Sequence, residues 1–294
     1  MVTSLSEYLS ILQNKISKYK NNEKLRIYYR GEPETFPHPM APSAFRGDEN
    51  KEVDNYYRAL RRHPEEFKHN SPIDILAKLQ HFGYPTRMLD FTVNSLMALF
   101  FACGGINFAE GTYKDNGNGH VFVYVADYEK EVLKYSSDKG LLLSVLPRFK
   151  SEELKELESI FRSNKIISNE WMKSRKENKI MQRFIHELRV ERRGFNEHRI
   201  ESKDILDKGY FIKANFSNNR LKTQGGLFAI FGLGQKTFKK AFNVKENINF
   251  FDIEIDKNSF KKILGELDYY CNINYSIIYD DLEATAKSYK NKLY

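Results

Sequence analysis

The segment LQHFGYPTRMLDFT, residues 79–92, places a His, two Thr, an Arg and an Asp directly before the apolar run NSLMALFFACG, residues 94–104. Pro85 fixes its own φ and biases Tyr84 toward an extended conformation, so TRMLDFT is predicted to be a strand edge. The apolar run is predicted to be a buried helix. Polar groups directly before a buried helix either hydrogen-bond to the backbone as structural caps or line a pocket.

Alternation along a strand assigns roles to these polar groups. Side chains two apart share a face, so Thr86, Asp90 and Thr92 are predicted to lie together. Two hydroxyls and a carboxylate in fixed positions could form hydrogen bonds with a ribose diol and a carboxamide. Asn94 and Ser95 are interpreted as caps for the N–H groups of the following helix. The segment is thus expected to be partly structural and partly pocket wall.

The pattern over the whole chain indicates a mixed architecture. Strands and helices alternate without a regular βαβ repeat, which favours α+β over a doubly wound sheet. Helices are predicted at residues 3–20, 51–69, 72–82, in the charge-rich stretch 149–190, and twice near the C-terminus, where a further segment, YSIIYDDL, lies between them. Strands are predicted for KLRIYYRG, TRMLDFT, HVFVYVAD, GYFIKANF, GGLFAIFG and INFFDIEID.

Composition bounds the class of protein. The 294 residues are 41% apolar, which is enough for a substantial core, and carry a formal charge of +8. This charge favours an anionic partner such as nucleic acid, or else reflects a lysine-rich solvated surface. Two cysteines, and no apolar run approaching the ~20 residues that span a bilayer, predict a cytoplasmic protein without a disulfide framework. GxGxxG, GxxxxGK[ST], HExxH and GxSxG sequences are absent, so the chemistries that they mark are not expected.

Several blocks resemble, in order, the conserved blocks of the FRG domain family. They are YYRGE at 28–32, residues 79–102, NGHVFVYV at 118–125, NRLKTQGGLFAI at 219–230 and SIIYDDLEATA at 276–286. The resemblance covers roughly residues 24–290. The family usually has Trp where Phe91 stands and Pro where Ser95 stands. The chain contains no linker-like stretch, so a single domain over residues 1–294 is predicted, with an N-terminal helix at 1–20 and a helical insertion at about 149–192.

The layout is in turn similar to that of the ADP-ribosyltransferases. This similarity implies an α+β fold with a split β-sheet core and helical insertions, and NAD as co-substrate without a metal. The residues that it places in catalysis are Arg30, Thr92 and Gln224. The residues that it places in NAD binding are Tyr29, Arg30, Gly31, His81, Thr86, Arg87, Asp90, Thr92 and Gly225.

Physical chemistry supplies a reason, and an alternative, for the main candidates. The planar fork of Arg30 suits a pyrophosphate, and Gly31 lets the backbone approach a ligand. The alternative is that Arg30 pairs with a buried carboxylate such as Asp90 and ties two strands. His81, at a helix end, is interpreted either as a packing residue or as a pocket group.

Gln224 is the candidate that fits catalysis least well. Two glycines follow it, so the turn can approach a ligand closely. An amide binds a substrate but cannot act as a general base, so the site would depend on orientation and dipoles. The sequence does not place a carboxylate from Glu32, Glu187 or Glu191 beside it.

The basic segment at residues 171–194 is the candidate nucleic-acid contact. The residues expected to bind are Arg189, Arg192 and Arg193. The alternative is an amphipathic surface helix. Its core-facing residues would be Met181, Phe184, Ile185 and Leu188.

The function expected from these features is NAD-dependent mono-ADP-ribosyl transfer to nucleic acid, with RNA preferred, or to protein. A bacterial toxin or phage-defence effector is the expected setting, with an antitoxin or other regulatory protein as a further partner and no membrane association. The alternatives are NAD hydrolysis and a non-enzymatic module that binds a nucleotide or nucleic acid.

Overall fold

The computed structural model describes residues 1–47, 50–104, 106–107, 112–113, 117–163, 178–197, 200–215, 224–279 and 286. Its helices, labelled here in chain order, are α1 Leu5–Ile16, α2 Lys51–Arg62, α3 Pro64–Phe67, α4 Pro72–His81, α5 Ser95–Ala102, α6 Tyr128–Glu131, α7 Asp138–Ser144, α8 Ser151–Ser163, α9 Lys179–Glu191, α10 Ser202–Ile205, α11 Phe238–Ala241, α12 Phe260–Cys271 and α13 Tyr275–Tyr279. Its strands are β1 Leu25–Glu32, β2 Met88–Thr92, β3 Ile106–Asn107, β4 Thr112–Tyr113, β5 Gly119–Asp127, β6 Val132–Leu133, β7 Gly209–Ile212, β8 Gly226–Phe231 and β9 Phe250–Ile255.

Seven of the described strands form one sheet in the order β6-β7-β8-β2-β1-β5-β9. Only β6 and β7 run parallel, and the other neighbouring pairs are antiparallel. Strands β3 and β4 form a separate hairpin. This mixed arrangement confirms the predicted α+β class.

The sheet opens between its two central strands. β1 pairs with β5 from Leu25↔Asp127 to Glu32↔His120, and β2 pairs with β8 along its whole length. In contrast, β1 and β2 share the single registered pair Tyr29↔Thr92. The strands therefore separate beyond this pair, and a cleft forms between the second half of β1 and the last three residues of β2.

Helix α5 is fixed against β1 by its cap and by a glycine. The Asn94 side chain accepts hydrogen bonds from the backbone N–H groups of Leu96 and Met97, as predicted for a cap. A Cβ on Gly31 would lie 2.0 Å from the carbonyl oxygen of Ala98, so only glycine allows this approach. The helix thus packs backbone to backbone on β1 beside the cleft.

The charge-rich region around residues 149–192 is helical where it is described. Helix α8 precedes residues 164–177, which lie outside the described residues, and α9 follows them. The α9 side chains Met181, Phe184, Ile185 and Leu188 are all buried. The amphipathic-helix interpretation of residues 171–194 is therefore confirmed for α9, and residues 171–177 lie outside the described residues.

Other elements are shorter than predicted, or different. Strand β2 begins at Met88, so Thr86 and Arg87 precede it, and β7 covers only half of GYFIKANF. The first five residues of YSIIYDDL form α13, and the rest lie outside the described residues. No helix in the described part combines the length and apolar character that crossing a bilayer requires.

Candidate functional site

The cleft between β1 and β2 contains a cavity of about 270 Å³. It is closed by the C-terminal ends of α4 and α5 and by the turn that precedes β8. The residues singled out from the sequence that line it are Tyr29, Arg30, Gly31, His81, Asp90, Thr92 and Gln224. Residues that lie up to 195 positions apart in the chain thus meet in one concave site.

Arg30 bridges the cleft. Its Nε donates to Glu32 Oε1 at 2.9 Å, and its Nη1 donates to the backbone oxygen of Asp90 at 2.9 Å. Arg30 therefore ties the two strands, with Glu32 in place of the Asp90 carboxylate as its ionic partner. Its Nη2 has no hydrogen-bond partner among the described residues, so part of the guanidinium fork is available to a ligand.

Glu32 is a buried carboxylate at the end of β1. Only 1% of the residue is exposed, and its Oε1 also accepts from the backbone N–H of Met40 at 3.3 Å. Its Oε2 is buried and has no partner in the described part of the chain. Its ion pair with Arg30 offsets part of the cost of burying its charge.

Asp90 is the carboxylate among the described residues that line the cavity. Gln80 Nε2 donates to Asp90 Oδ2 at 2.7 Å, and Gln80 Oε1 accepts from the Thr86 hydroxyl. Gln80 also lines the cavity, yet no sequence pattern identified it. The buried Thr86 stands behind Gln80 rather than in the cavity wall, so this chain of hydrogen bonds fixes the Asp90 carboxylate.

The turn at Gln224 is docked on the end of β2. The Thr92 hydroxyl donates to the Gln224 backbone oxygen at 2.5 Å and accepts from Asn94 N–H at 2.9 Å. The Val93 N–H donates to the oxygen of Gly225, whose φ of +58° is in the left-handed region. Thr92 and Gly225 thus hold the turn that presents Gln224.

The side-chain amide of Gln224 is buried and incompletely satisfied. Its Nε2 has no hydrogen-bond partner among the described residues. Unpaired buried donors are rare in native proteins because each costs about 1–3 kcal/mol. A ligand acceptor in the cavity would satisfy this amide.

Arg87 lies away from this cavity. It is 1% exposed, and its backbone N–H, Nε and Nη2 all donate to the Glu52 carboxylate, with Nη2 at 2.7 Å from Oε2. The structure therefore does not bring Arg87 to the other candidates. It places this residue in a buried ion pair between α2 and the start of β2.

The rings of Tyr29 and His81 line the cavity together with those of Phe91, Phe101 and Phe228. His81 is the last residue of α4, and its ring contacts Phe82 edge to face at 5.0 Å. Burial raises the pKa of Tyr29 to about 12, so its phenol stays neutral at ordinary pH. His81 is therefore both a helix-terminal residue and a cavity group.

The predicted nucleic-acid residues lie on and after α9 and are largely paired. Arg189 forms an ion pair with Glu197 at 2.7 Å, and Arg192 pairs with Asp138. Arg193 is exposed. Most of this charge is neutralised within the chain.

Helix α2 carries a different basic surface. Arg58, Arg61 and Arg62 are exposed on it and form no ion pair among the described residues.

Glu187 and Glu191 do not supply a carboxylate to the cavity, because both form ion pairs with Arg148. No group of three metal-binding side chains is present in the described ranges.

Residues 25–109 match the family model of the FRG domain. The matched range contains β1, α4, β2 and α5, which form most of the cavity wall. The blocks at 118–125, 219–230 and 276–286 lie outside it. No curated protein and no solved structure matches the chain.

Proposed function

We propose that the chain binds NAD in the cleft between β1 and β2 and transfers the ADP-ribosyl group to an acceptor. The observation that carries this proposal is the meeting of three groups in one cavity: part of an arginine fork, a fixed carboxylate, and a buried amide without a partner. The sheet also opens between β1 and β2. This supports the proposal because the resemblance to ADP-ribosyltransferases implies a split sheet.

The phosphate end of the ligand is assigned to Arg30 and Gly31. Arg30 keeps Nη2 for an anion, and Gly31 lines the cavity beside it; contrary to the expectation from the sequence, the missing side chain of Gly31 makes room for the α5 backbone and not for a ligand. A cavity of about 270 Å³ is slightly smaller than the roughly 300–1,000 Å³ typical of small-molecule sites. We therefore place the nicotinamide ribose and adjacent phosphates inside and the adenosine along the surface.

The reacting end is assigned to Asp90 and Gln224. The C1–N bond to nicotinamide breaks, nicotinamide leaves with the electron pair, and the acceptor attacks C1 and loses its proton. Positive charge develops on the ribose, and the fixed Asp90 carboxylate stabilises it. The Gln224 amide donates to a ribose or carboxamide oxygen and orients the ligand.

Two measurements test the proposal. Calorimetry with NAD tests binding, and labelled NAD incubated with total cellular RNA or protein tests nicotinamide release and label transfer. We expect Gln224→Ala to lower turnover at least about tenfold, because the ligand loses its orientation, and to weaken NAD binding by no more than one neutral hydrogen bond, about 0.5–1.5 kcal/mol. Nicotinamide release without label transfer would identify a glycohydrolase, and no NAD binding would overturn the proposal.

A second candidate function is nucleotide binding without chemistry. Gln224 favours it, because an amide cannot act as a general base, and Arg30 already has an ionic partner in Glu32. Under this alternative, NAD or another nucleotide binds and is recovered intact. The expected setting in a toxin or phage-defence system, and RNA as acceptor, rest on the resemblance alone.

A further inference from the structure

A second cavity, of about 160 Å³, lies on one face of β1, β5 and β9. Glu32 pairs in register with His120, and Phe122 pairs with Asp252. Side chains that are paired across strands, or that lie two apart along a strand, share a face of the sheet, so Phe250 joins them. The residues that line this cavity are different from those that line the cleft.

Glu32 contributes a buried acceptor to this second cavity. Its Oε1 accepts from Arg30 Nε and from the backbone N–H of Met40. Its Oε2 is buried and has no hydrogen-bond partner among the described residues. Such groups are rare in native proteins because each costs free energy. A donor placed in the second cavity would satisfy this oxygen.

The charges on the wall favour a cationic donor. Glu34, Glu246 and Asp252 also line the second cavity. Lys239 neutralises Glu246 at 2.7 Å, and Asp252 accepts from His120 Nδ1 at 3.0 Å. Glu34 forms no ion pair within the described part of the chain. While His120 is neutral, the carboxylates of the wall outnumber its cations, so the wall attracts positive charge.

Aromatic rings form another part of the wall. The rings of Phe122 and Phe250 stack with centroids 5.7 Å apart, and the His120 ring stacks on Phe122 at 5.8 Å. Lys239 Nζ lies 5.6 Å from the centroid of Phe250, so this wall already holds one cation over a ring. A planar, weakly hydrated guanidinium stacks on aromatic faces better than an ammonium does.

Size and ligand geometry narrow the class of cation. The volume of about 160 Å³ is about half of the roughly 300 Å³ at which small-molecule sites begin, so the cavity suits a group the size of a side chain. The described ranges contain no group of three metal-binding side chains, so this wall is not arranged around a metal ion. An organic cation fits it better.

We infer that the second cavity binds a guanidinium group, with Glu32 Oε2 accepting from one of its N–H groups and the aromatic wall packing against its plane. The fork of a guanidinium matches a carboxylate, and its flat face matches the rings. A free guanidine and an arginine side chain of another protein share this chemistry. The inference does not depend on NAD binding in the cleft.

The test is calorimetric titration of the full chain with three small probes. Ethylguanidinium has the charged plane, ethylurea has the plane without the charge, and ethylammonium has the charge without the plane. We expect ethylguanidinium to bind, ethylurea to give no binding heat, and ethylammonium to bind at least about threefold more weakly. Acetyl-arginine methylamide distinguishes the sources, since tighter binding than ethylguanidinium indicates a protein side chain and weaker binding a free guanidine.

Variants of the wall locate the binding. Glu32→Gln should weaken ethylguanidinium binding at least about tenfold, the usual effect of losing a charge-assisted hydrogen bond. Glu34→Gln and Asp252→Asn lie at half-buried and exposed positions, so they test the charge without disturbing the core. Each should weaken binding roughly two- to fivefold. Lys239→Met should tighten binding, because it removes a cation that competes for the same wall.

Glu254→Gln is the matched control. Glu254 lies on the same face of β9 as Asp252, outside the second cavity, and its Oε1 accepts from Asn118 at 2.7 Å. This variant should leave the affinity nearly unchanged. Ethylurea binding as well as ethylguanidinium, no binding of ethylguanidinium, or wild-type affinity in folded Glu32→Gln and Glu34→Gln would overturn the inference and leave the proposed function standing.

Discussion

Two polar side chains of the cleft, Arg30 and Asp90, are held in place by neighbouring side chains. Glu32 holds Arg30, and Gln80 holds Asp90. Each supporting side chain fixes its partner before a ligand binds, which lowers the conformational-entropy cost of binding. At the scale of single residues, the site therefore consists of groups that would contact a ligand, each paired with a side chain that positions it. Substitutions of the two members of a pair should have different effects.

Arg30→Lys tests the guanidinium fork. A lysine keeps the charge near Glu32 but cannot also reach the Asp90 carbonyl and a phosphate, because it is a point charge on a flexible stem. A charge-assisted hydrogen bond contributes about 1.5–3 kcal/mol, so we expect NAD affinity to fall roughly 10- to 100-fold in calorimetry. Arg30→Ala is a poorer probe, since it removes the ionic partner of a buried carboxylate. Unchanged affinity in folded Arg30→Lys would remove Arg30 from the phosphate site.

Asp90→Asn and Gln80→Met separate the reacting carboxylate from its support. Asp90→Asn should lower the rate of nicotinamide release about 10²-fold or more, because it removes the charge that stabilises the ribose cation. Gln80→Met should give a smaller loss, with KM little changed, because the carboxylate remains but is no longer fixed. Equal effects of both variants, or wild-type kinetics in Asp90→Asn, would contradict these roles.

At the scale of elements, the cleft depends on how closely β1 and α5 approach each other. Gly31 makes this approach possible, since a Cβ there would lie 2.6 Å from the Ala102 backbone nitrogen as well as 2.0 Å from the Ala98 oxygen. Backbone atoms cannot move aside as a flexible side chain can. The strand and helix therefore act as one unit in shaping the cavity.

Gly31→Ala tests this contact. Overpacking against backbone typically costs about 1–3 kcal/mol and sometimes more, so we expect a lower midpoint in urea unfolding and weaker NAD binding together. Gly265→Ala is the matched control, because nothing lies within 4 Å of a Cβ at that helical glycine. It should be neutral or stabilising. Wild-type stability of Gly31→Ala would mean that β1 and α5 can separate at little cost.

Two helices offer basic surfaces that differ in their pairing. Around α9, Arg189 and Arg192 have carboxylate partners, whereas Arg58, Arg61 and Arg62 on α2 have none among the described residues. Like charges three and four residues apart on a helix destabilise it slightly unless an anion is bound. Helix α2 is therefore the better candidate to contact a polyanion.

The salt dependence of RNA binding distinguishes the two helices. Replacing Arg58, Arg61 and Arg62 with Gln should reduce the slope of log K against log salt by about 0.7 for each lost contact with single-stranded RNA. The matched variant replaces Arg189, Arg192 and Arg193 and should change the slope less. A larger effect of the matched variant would place the contact around α9, and no effect of either would leave both as solvated faces.

At the scale of the whole molecule, a buried ion pair joins the helical part to the sheet. Glu52 on α2 accepts from Arg87, and both side chains are almost fully buried. Removing one member of such a pair leaves a buried charge without compensation and typically costs about 3–5 kcal/mol. Arg87 is thus assigned to holding the fold together, distant from the candidate chemistry.

Arg87→Met should accordingly lower the free energy of unfolding by about 3–5 kcal/mol in urea titrations. Adding Glu52→Gln should recover part of this loss, because no charge is then buried. Arg189→Met is the control, since it breaks an ion pair in which Arg189 is half exposed and should cost less than about 1 kcal/mol. Equal losses in the two single variants would contradict a structural role specific to Arg87.

The sequence by itself determined the elements and the faces of several of them. Continuous apolar runs located α5 and β8, alternation located β5 and β9, and helical spacing located the buried face of α9, because each of these patterns is a local property of the chain. Asn94 was identified as a cap for the same reason. These features need only neighbours within a few positions of the chain.

Only the tertiary structure decided the partners of the polar groups. Arg87 and Thr86 belong to the same polar segment as Asp90, yet one pairs with Glu52 and the other with Gln80, behind the cavity wall. Glu32, not Asp90, supplies the carboxylate for Arg30. Charge type and spacing do not specify which distant carboxylate or amide lies within hydrogen-bond reach, because packing of the sheet and helices sets those distances.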